Sequence, residues 1–118
     1  MTWNTALVFS YGLPVPGREA KALEAFADAQ ALYGKFAADG MCAEPEIFHH
    51  LFGAGMMIIR AEGFEKLFAM LEKEDSKRLI DLCTFAVQDF EFTFMQTGEL
   101  LMKDMGLYAT VGAELGYL

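Results

Sequence analysis

The sequence predicts an α+β fold in which an antiparallel sheet is covered on one face by helices. Three observations carry this prediction. The short Gly-rich segment 53–55 separates two runs of strand-forming residues within Glu46–Glu62, which is typical of a β-hairpin because glycine adopts the positive φ of tight turns freely. An apolar segment at 5–11 and an alternating segment at 89–95 supply two more strands. Helical patterns fill the intervals, which gives the order β-α-β-β-α-β.

The first strand is predicted over Thr5–Tyr11, where apolar residues occupy both alternating sets of positions. Such a strand is covered on both faces, so it is expected at the centre of the sheet. The strand-breaking loop Gly12–Gly17 ends it. A helix is predicted from Arg18 to about Asp39, because the segment is rich in alanine. Its expected inner positions follow helical spacing: Leu23, Phe26, Ala27, Gln30, Tyr33 and Ala37.

The hairpin contains both histidines of the chain and an arginine within an otherwise apolar strand. Successive side chains of a strand alternate between faces, so His49 and His50 are expected on opposite faces. The sequence leaves open which of them faces inward, because a register shift of one residue exchanges the faces. Since an unpaired buried charge is very costly, Arg60 is predicted to lie near the strand end, to be paired, or both.

Two short helices and a fourth strand are predicted in the second half of the chain. Gly63 opens a helix with apolar residues at i, i+3, i+4 and i+7, namely Phe64, Leu67, Phe68 and Leu71. A second helix follows, with Asp75 or Ser76 as its candidate cap. The strand at Asp89–Met95 alternates strictly. It is predicted to turn one set of side chains to the helices, Phe90, Phe92 and Phe94, and the other set to the opposite face, Asp89, Glu91 and Thr93.

Residues 1–96 are predicted to form one domain, and residues 97–118 an apolar C-terminal extension. The extension is too apolar to be a disordered, solvating tail. It either completes the protomer's own core or forms an arm that lies on a partner subunit. The arm is favoured, because the predicted fold is complete before the extension begins.

Composition narrows the classes of partner. Seventeen acidic against nine basic residues give a net charge of −8, which opposes binding to nucleic acid or to anionic membranes. A hydrophobic content of 54% exceeds what a small domain hides easily, so a homodimer or higher oligomer is expected. Without a signal-peptide pattern or an apolar run of ~20 residues, a cytoplasmic location is predicted. Cys42 and Cys83 are expected to be reduced and buried.

Three stretches of the chain together resemble the dimeric α+β barrel superfamily, a ferredoxin-like group. They are the first strand ALVFSY, the hairpin IFHHLFGAGMMIIRAE with the following GFEKLFAMLEKEDSKRLIDLC, and the return strand QDFEFTFM. The superfamily includes cofactor-free monooxygenases, polyketide cyclases, ethyl tert-butyl ether degradation-type proteins and stress-responsive barrel proteins. The resemblance covers residues 5–96. It implies that the first and third strands are central, and that the uncovered sheet face packs against a partner's sheet. It also implies that a small molecule binds in the barrel or an adjacent cleft, without a cofactor.

Two interpretations of the polar residues stay open. In the first, the protein binds a small apolar or aromatic molecule and catalyses a cofactor-free oxidation, cyclisation or isomerisation. A histidine is then the general acid or base, and Arg60 binds an anionic or enolate oxygen. The predicted catalytic residues are His50, Arg60 and Glu91, and the predicted ligand-binding residues are His49, Tyr11, Met57 and Ile59.

In the second interpretation the chain is a non-catalytic oligomeric assembly protein. Arg60 then lies in solvent at the strand end, one histidine lies in the dimer interface, and Glu91 protects a sheet edge from aggregation. Neither interpretation includes a metal, because adjacent histidines on a strand project to opposite faces and cannot bind one ion together.

Overall fold

The computed structural model describes residues 2–51 and 53–118, and it confirms the α+β class. Its elements are, in chain order, β1 (Thr5–Tyr11), α1 (Glu19–Ala38), β2 (Glu46–His49), β3 (Gly55–Ala61), α2 (Phe64–Glu72), α3 (Glu74–Ala86), β4 (Glu91–Gln96) and α4 (Gly98–Glu114). The strands form an antiparallel sheet in the order β2-β3-β1-β4. The first and third strands are therefore central, as predicted.

Strand register divides the sheet residues between two faces. Leu7 of β1 pairs with Ile59 of β3 and with Phe94 of β4, and these side chains point toward the helices. This side is termed the closed face. Val8 and its register partners Ile58 and Thr93 point the other way, to the side termed the open face.

The hydrophobic core lies between the closed face and helices α1 to α3. Its fully buried side chains include Leu7, Ile59, Leu67, Met70 and Tyr33. The Tyr33 hydroxyl lies 3.4 Å from Ser76 Oγ, so two buried polar groups satisfy each other. Ser76 is thus a core residue of α3, and the prediction that Asp75 or Ser76 caps this helix is wrong. The cap position is Lys73, whose side chain makes no capping hydrogen bond.

Helix α1 occupies the predicted segment but buries a different face. The buried positions are Ala22, Ala25, Ala29, Tyr33 and Phe36, whereas the predicted inner residue Leu23 is 72% exposed. In an Ala-rich segment several faces are apolar enough to be buried, so periodicity alone does not fix the rotation of the helix. The small alanine side chains allow this face to approach the sheet closely.

Two strand ends also differ from their predictions. Strand β2 ends at His49, and Phe52, expected in the first hairpin strand, lies outside the described residues. Strand β4 begins at Glu91, because Asp89 has a φ of 53°, which is incompatible with extended structure. Phe90 therefore precedes the strand, although its ring still stacks on Phe9 with the centroids 5.9 Å apart.

Helix α4 contains no buried residue. The radius of gyration of the chain is 16.8 Å and its longest dimension is 55 Å, whereas a compact chain of this length has a radius of about 13.5 Å. Both observations indicate that α4 projects from the rest of the molecule. No helix in the two described ranges is long and apolar enough to cross a bilayer.

Candidate functional site

Tyr11 and His49 meet on the closed face, although the strands that carry them are not neighbours. Strand β3 lies between β1 and β2, and Gly55 of β3 is the register partner of both residues. Tyr11 Oη lies 2.6 Å from His49 Nε2, a short hydrogen bond. The hydroxyl donates when Nε2 is unprotonated, and accepts when Nε2 carries the proton.

Gly55 makes this hydrogen bond across a strand sterically feasible. A Cβ at this position would overlap His49 Cδ2 and would lie 2.5 Å from the Phe48 carbonyl oxygen. The second contact involves backbone, which cannot move away as a side chain tip can. The absence of a side chain at residue 55 therefore leaves the space that the imidazole occupies.

The pair lies at the rim of an apolar cavity between the closed face and helices α1 and α3. Tyr11 is part of the wall, and the His49 ring lies edge-on to Phe26, another wall residue, at 5.5 Å. The complete lining is Phe9, Tyr11, Ala22, Ala25, Phe26, Ala29, Met57, Leu79, Ile80, Cys83, Val87 and Phe90. Because α1 contributes mainly alanines, space remains between this helix and the sheet.

The cavity has a free volume of about 60 Å³. Benzene binds in an engineered apolar cavity of about 150 Å³, so a ring-sized ligand requires a wall side chain to move. Phe26 is only partly buried and is the wall residue next to His49. Displacement of its ring would open the cavity beside the Tyr11–His49 pair.

Burial raises the pKa of the Tyr11 hydroxyl to about 12, so this group stays protonated at neutral pH and can donate a hydrogen bond. Burial also raises the pKa of the Cys83 thiol to about 11, with the negative charge of Asp28 as a second cause. A thiol with a raised pKa is a poor nucleophile, because the reactive species is the thiolate. Cys83 accordingly contributes to the cavity as an apolar wall residue.

Arg60 lies on the open face, near the other end of the sheet. Its Nε donates a hydrogen bond of 2.6 Å to Glu46 Oε1, and both side chains are partly exposed. Arg60 is the penultimate residue of β3, so the prediction of a paired arginine near the strand end is confirmed. Arg60 pairs in register with Ala6, but Glu91 pairs with Ser10. Ala6 and Ser10 are four residues apart on β1, so at ~3.3 Å per residue Arg60 and Glu91 are separated by about 13 Å along the strand direction.

His50 and Glu91, the other two predicted catalytic residues, are both exposed and line one shallow groove at the Tyr11 end of the sheet. The structure thus brings these two into one groove and leaves Arg60 apart from them. In the two described ranges, no group of three or more His, Cys, Asp and Glu side chains is placed to hold a metal ion.

The predicted ligand-binding residues occupy different positions. Tyr11 and Met57 line the cavity, and His49 joins Tyr11 at its rim, whereas Ile59 is completely buried in the core. The sequence interpretation missed the aromatic walls at Phe26 and Phe90 and the alanines of α1. The alanine spacing at 22, 25 and 29 is the signal that could have identified the cavity wall.

The strand order and the helices on one face define a ferredoxin-like α+β fold. The resemblance predicted from the sequence is confirmed at this level by solved structures. No protein-family model matches the chain, and no curated protein matches it.

The similar structures cover most of the chain. The Pseudomonas aeruginosa protein PA3566 matches 83% of this chain and 97% of its own, with a TM-score of 0.63 and 15% identity. An antibiotic biosynthesis monooxygenase matches 80% and 98%, with a TM-score of 0.61 and 15% identity. A dimeric Bacteroides fragilis protein of unknown function and ferredoxin-like fold matches 81% and 98%, with a TM-score of 0.60 and 4% identity. Identities this low establish a shared fold and leave function open.

Proposed function

We propose that this chain binds a small apolar or aromatic molecule, bearing a hydroxyl or carbonyl group, in the cavity between the closed face and helices α1 and α3. The observation that carries the proposal is the Tyr11–His49 hydrogen bond at the rim of a cavity with apolar walls. The walls favour an apolar ring through its removal from water. The polar pair orients the polar substituent of the ligand.

The same pair is suited to proton transfer. In the tautomer whose Nε2–H donates to Tyr11 Oη, the neutral His49 imidazole accepts a proton at Nδ1 from an acidic O–H, or from a C–H next to a carbonyl. The Tyr11 hydroxyl is then free to donate a hydrogen bond to the oxygen that becomes negative. Formation of this phenolate or enolate is the first step that isomerisation, cyclisation and cofactor-free oxidation share. The oxidation additionally requires O₂ as co-substrate. Oxidation is included because one solved structure of similar fold is described as an antibiotic biosynthesis monooxygenase.

The proposal includes a homodimer that forms through the open face. Phe48, Met56 and Met95 are exposed there, and burying such side chains favours association. One structural neighbour is described as dimeric. The catalytic set of His50, Arg60 and Glu91 stays a prediction, and it requires groups from both copies, because Arg60 and Glu91 are far apart in one. The free thiols support the predicted cytoplasmic location.

A second candidate function is the non-catalytic assembly protein predicted from composition. The exposed apolar side chains of the open face and of α4 favour it. This candidate requires neither ligand binding nor proton transfer at the Tyr11–His49 pair, so experiments on that pair distinguish the two.

Phenol and benzene are a matched pair of probes for the cavity, because they differ by one hydroxyl group. The wild type is expected to bind phenol about 5-fold more tightly than benzene, since one hydrogen bond contributes ~1 kcal/mol. Tyr11→Phe should remove this preference without closing the cavity. Chemical shift changes of backbone amides during NMR titration give both dissociation constants.

Substitutions on α1 provide the control for the location of binding. Ala25→Leu fills the cavity and should abolish binding of both probes, whereas Ala27→Leu makes the same change on the exposed side of the helix and should leave binding intact.

Proton transfer is tested with 2-indanone, whose acidic C–H exchanges with deuterium at a rate that NMR measures. The wild type should accelerate this exchange, and His49→Gln should not. Equal binding of phenol and benzene, or unchanged binding by Ala25→Leu, would contradict the proposed site.

A further inference from the structure

Helix α4 and the residues after it carry half of the large apolar side chains that the structure describes as exposed. These are Leu101, Met102, Met105, Leu107, Tyr108, Val111, Leu115, Tyr117 and Leu118. A helix that is apolar around most of its circumference is normally buried. Removal of such side chains from water favours association. The exposed helix therefore requires a covering surface.

The spacing of one apolar stripe on α4 indicates the kind of surface. Its members follow at intervals of four, three, four and three residues: Leu101, Met105, Tyr108, Gly112 and Leu115. This heptad spacing is typical of a helix that packs along another helix. The opposite side of α4 carries Glu99, Lys103, Thr110 and Glu114. With three acidic residues and one basic residue, the helix is repelled by anionic lipid surfaces.

The C-terminal end of α4 is well defined, so the stripe is a fixed surface. Gly116 has a φ of 79°, and its N–H donates to the Ala113 carbonyl at 3.1 Å. The N–H of Tyr117 donates to the Gly112 carbonyl at 2.9 Å, which completes a Schellman motif. The Leu118 side chain folds against Gly112. An apolar side chain thus fills the gap that glycine leaves in the stripe.

We propose that α4 packs antiparallel against α4 of a second copy of this chain, about a two-fold axis near Tyr108. Tyr108 is the midpoint of the stripe, with Leu101 and Leu115 seven residues to either side. A two-fold axis at this midpoint places Leu101 of each copy against Leu115 of the other. The same axis places Met105 level with Val111 and Gly112 level with Asp104. The centre and both ends of the stripe therefore meet apolar residues of the other copy, as an isologous interface requires.

Electrostatics selects the antiparallel orientation. A parallel pair would place the Asp104 carboxylates of the two copies side by side and would align the two helix dipoles. In the antiparallel pair these carboxylates are eight residues apart along the axis, or about 12 Å, and the dipoles are opposed. Both changes lower the repulsion between the copies.

The α4 pair alone is too small for a stable dimer. Two helices about 25 Å long and ~10 Å wide cover far less than the ~800 Å² per partner of a typical specific interface. The contact therefore acts together with the open-face contact, and to that extent it rests on the homodimer proposed above. It involves no residue of the ligand cavity.

Disulfide cross-linking tests the pair directly. Under mild oxidation, Tyr108→Cys should form linked chain pairs at least ~10-fold faster than Thr110→Cys, because adjacent thiols have an effective concentration in the millimolar range. Thr110 lies on the opposite side of the same exposed helix, so it is a matched control. The wild type controls for Cys42 and Cys83, whose thiols have raised pKa values of about 11.

Mixtures of two variants test the orientation. Leu101→Cys combined with Leu115→Cys should give mainly disulfides between the two variants, resolved on non-reducing gels by a size tag on one of them. Equal cross-linking rates for Tyr108→Cys and Thr110→Cys, or preferential linkage of Leu101→Cys to itself, would overturn the proposal. Phenol binding by the same variants is measured separately, so a failure of the α4 pair is distinguishable from a failure of the ligand site.

Discussion

The two faces of the sheet are built from alternate residues of the same strands, yet their surroundings differ completely. On β3, Met57, Ile59 and Ala61 point to the closed face and are almost completely buried, whereas Met56, Ile58 and Arg60 point to the open face and retain contact with solvent. The helices exclude water from one face only. A one-residue step along β3 therefore changes a side chain from a core or cavity position to a surface position, whereas Ala6 and Val8 of β1 stay buried although they point to the open face.

The same alternation separates the polar residues. Tyr11 and His49 meet on the closed face beside an apolar cavity, while Arg60 and Glu46 form their ion pair on the open face. The Tyr11–His49 hydrogen bond is itself exposed at the cavity rim, where an entering ligand can reach it, whereas the partly buried Arg60–Glu46 pair lies beside no apolar cavity. This difference supports the proposed ligand site on the closed face and the proposed contact with a second copy on the open face.

The adjacent residues Ile59 and Ile58 provide the largest expected contrast between the faces. Ile59→Ala removes a fully buried side chain and should lower the free energy of unfolding by about 2–5 kcal/mol. Ile58→Ala, on the open face, should lower it by roughly 1 kcal/mol. Urea denaturation at low protein concentration measures both. If a second copy covers the open face, the effect of Ile58→Ala should grow with protein concentration, and equal effects at low concentration would contradict the distinction.

Gly55→Ala tests whether the Tyr11–His49 hydrogen bond requires the absence of a side chain at residue 55. The added Cβ is expected to displace the imidazole, to abolish the preference for phenol over benzene, and to cost about 1–3 kcal/mol of stability. Long-range ¹⁵N–¹H NMR of the His49 ring reports the loss of the hydrogen bond. Gly34→Ala is the matched control, because its Cβ meets no atom within 4 Å and it should stabilise α1 by up to about 1 kcal/mol. Retention of the ring signals in Gly55→Ala would disprove this role.

The Arg60–Glu46 pair should give the smallest effect. Both side chains are about two-fifths exposed, so solvent screens their attraction. A double-mutant cycle with Arg60→Met and Glu46→Gln is expected to give a coupling of about 0–1 kcal/mol that weakens with salt. A coupling above about 2 kcal/mol would mean that the pair is buried in solution, and the open face would then be covered by a second copy.

Local patterns accounted for much of the fold. Strand β1 has the predicted bounds Thr5–Tyr11, and the hairpin, the helices between strands and the central position of the first strand are as predicted. The central position of the third strand was implied by the family resemblance and is also confirmed. Local sequence patterns predicted less of the candidate ligand site. Met57 was identified by residue type, but the walls formed by Phe26 and Phe90 were not, since these residues lie far apart in the chain and converge only through packing.

The sequence by itself determined which segments form strands and helices, because those preferences depend on residue type and on neighbours within a few positions. The net charge and the apolar excess of the C-terminal segment were likewise readable from composition. Only the tertiary structure decided which face of α1 is buried, that His49 rather than His50 joins Tyr11, and that Arg60 lies far from Glu91. Each of these depends on the register of one strand against another or on the rotation of a helix against the sheet. Register and rotation are set by packing between residues that are distant in sequence.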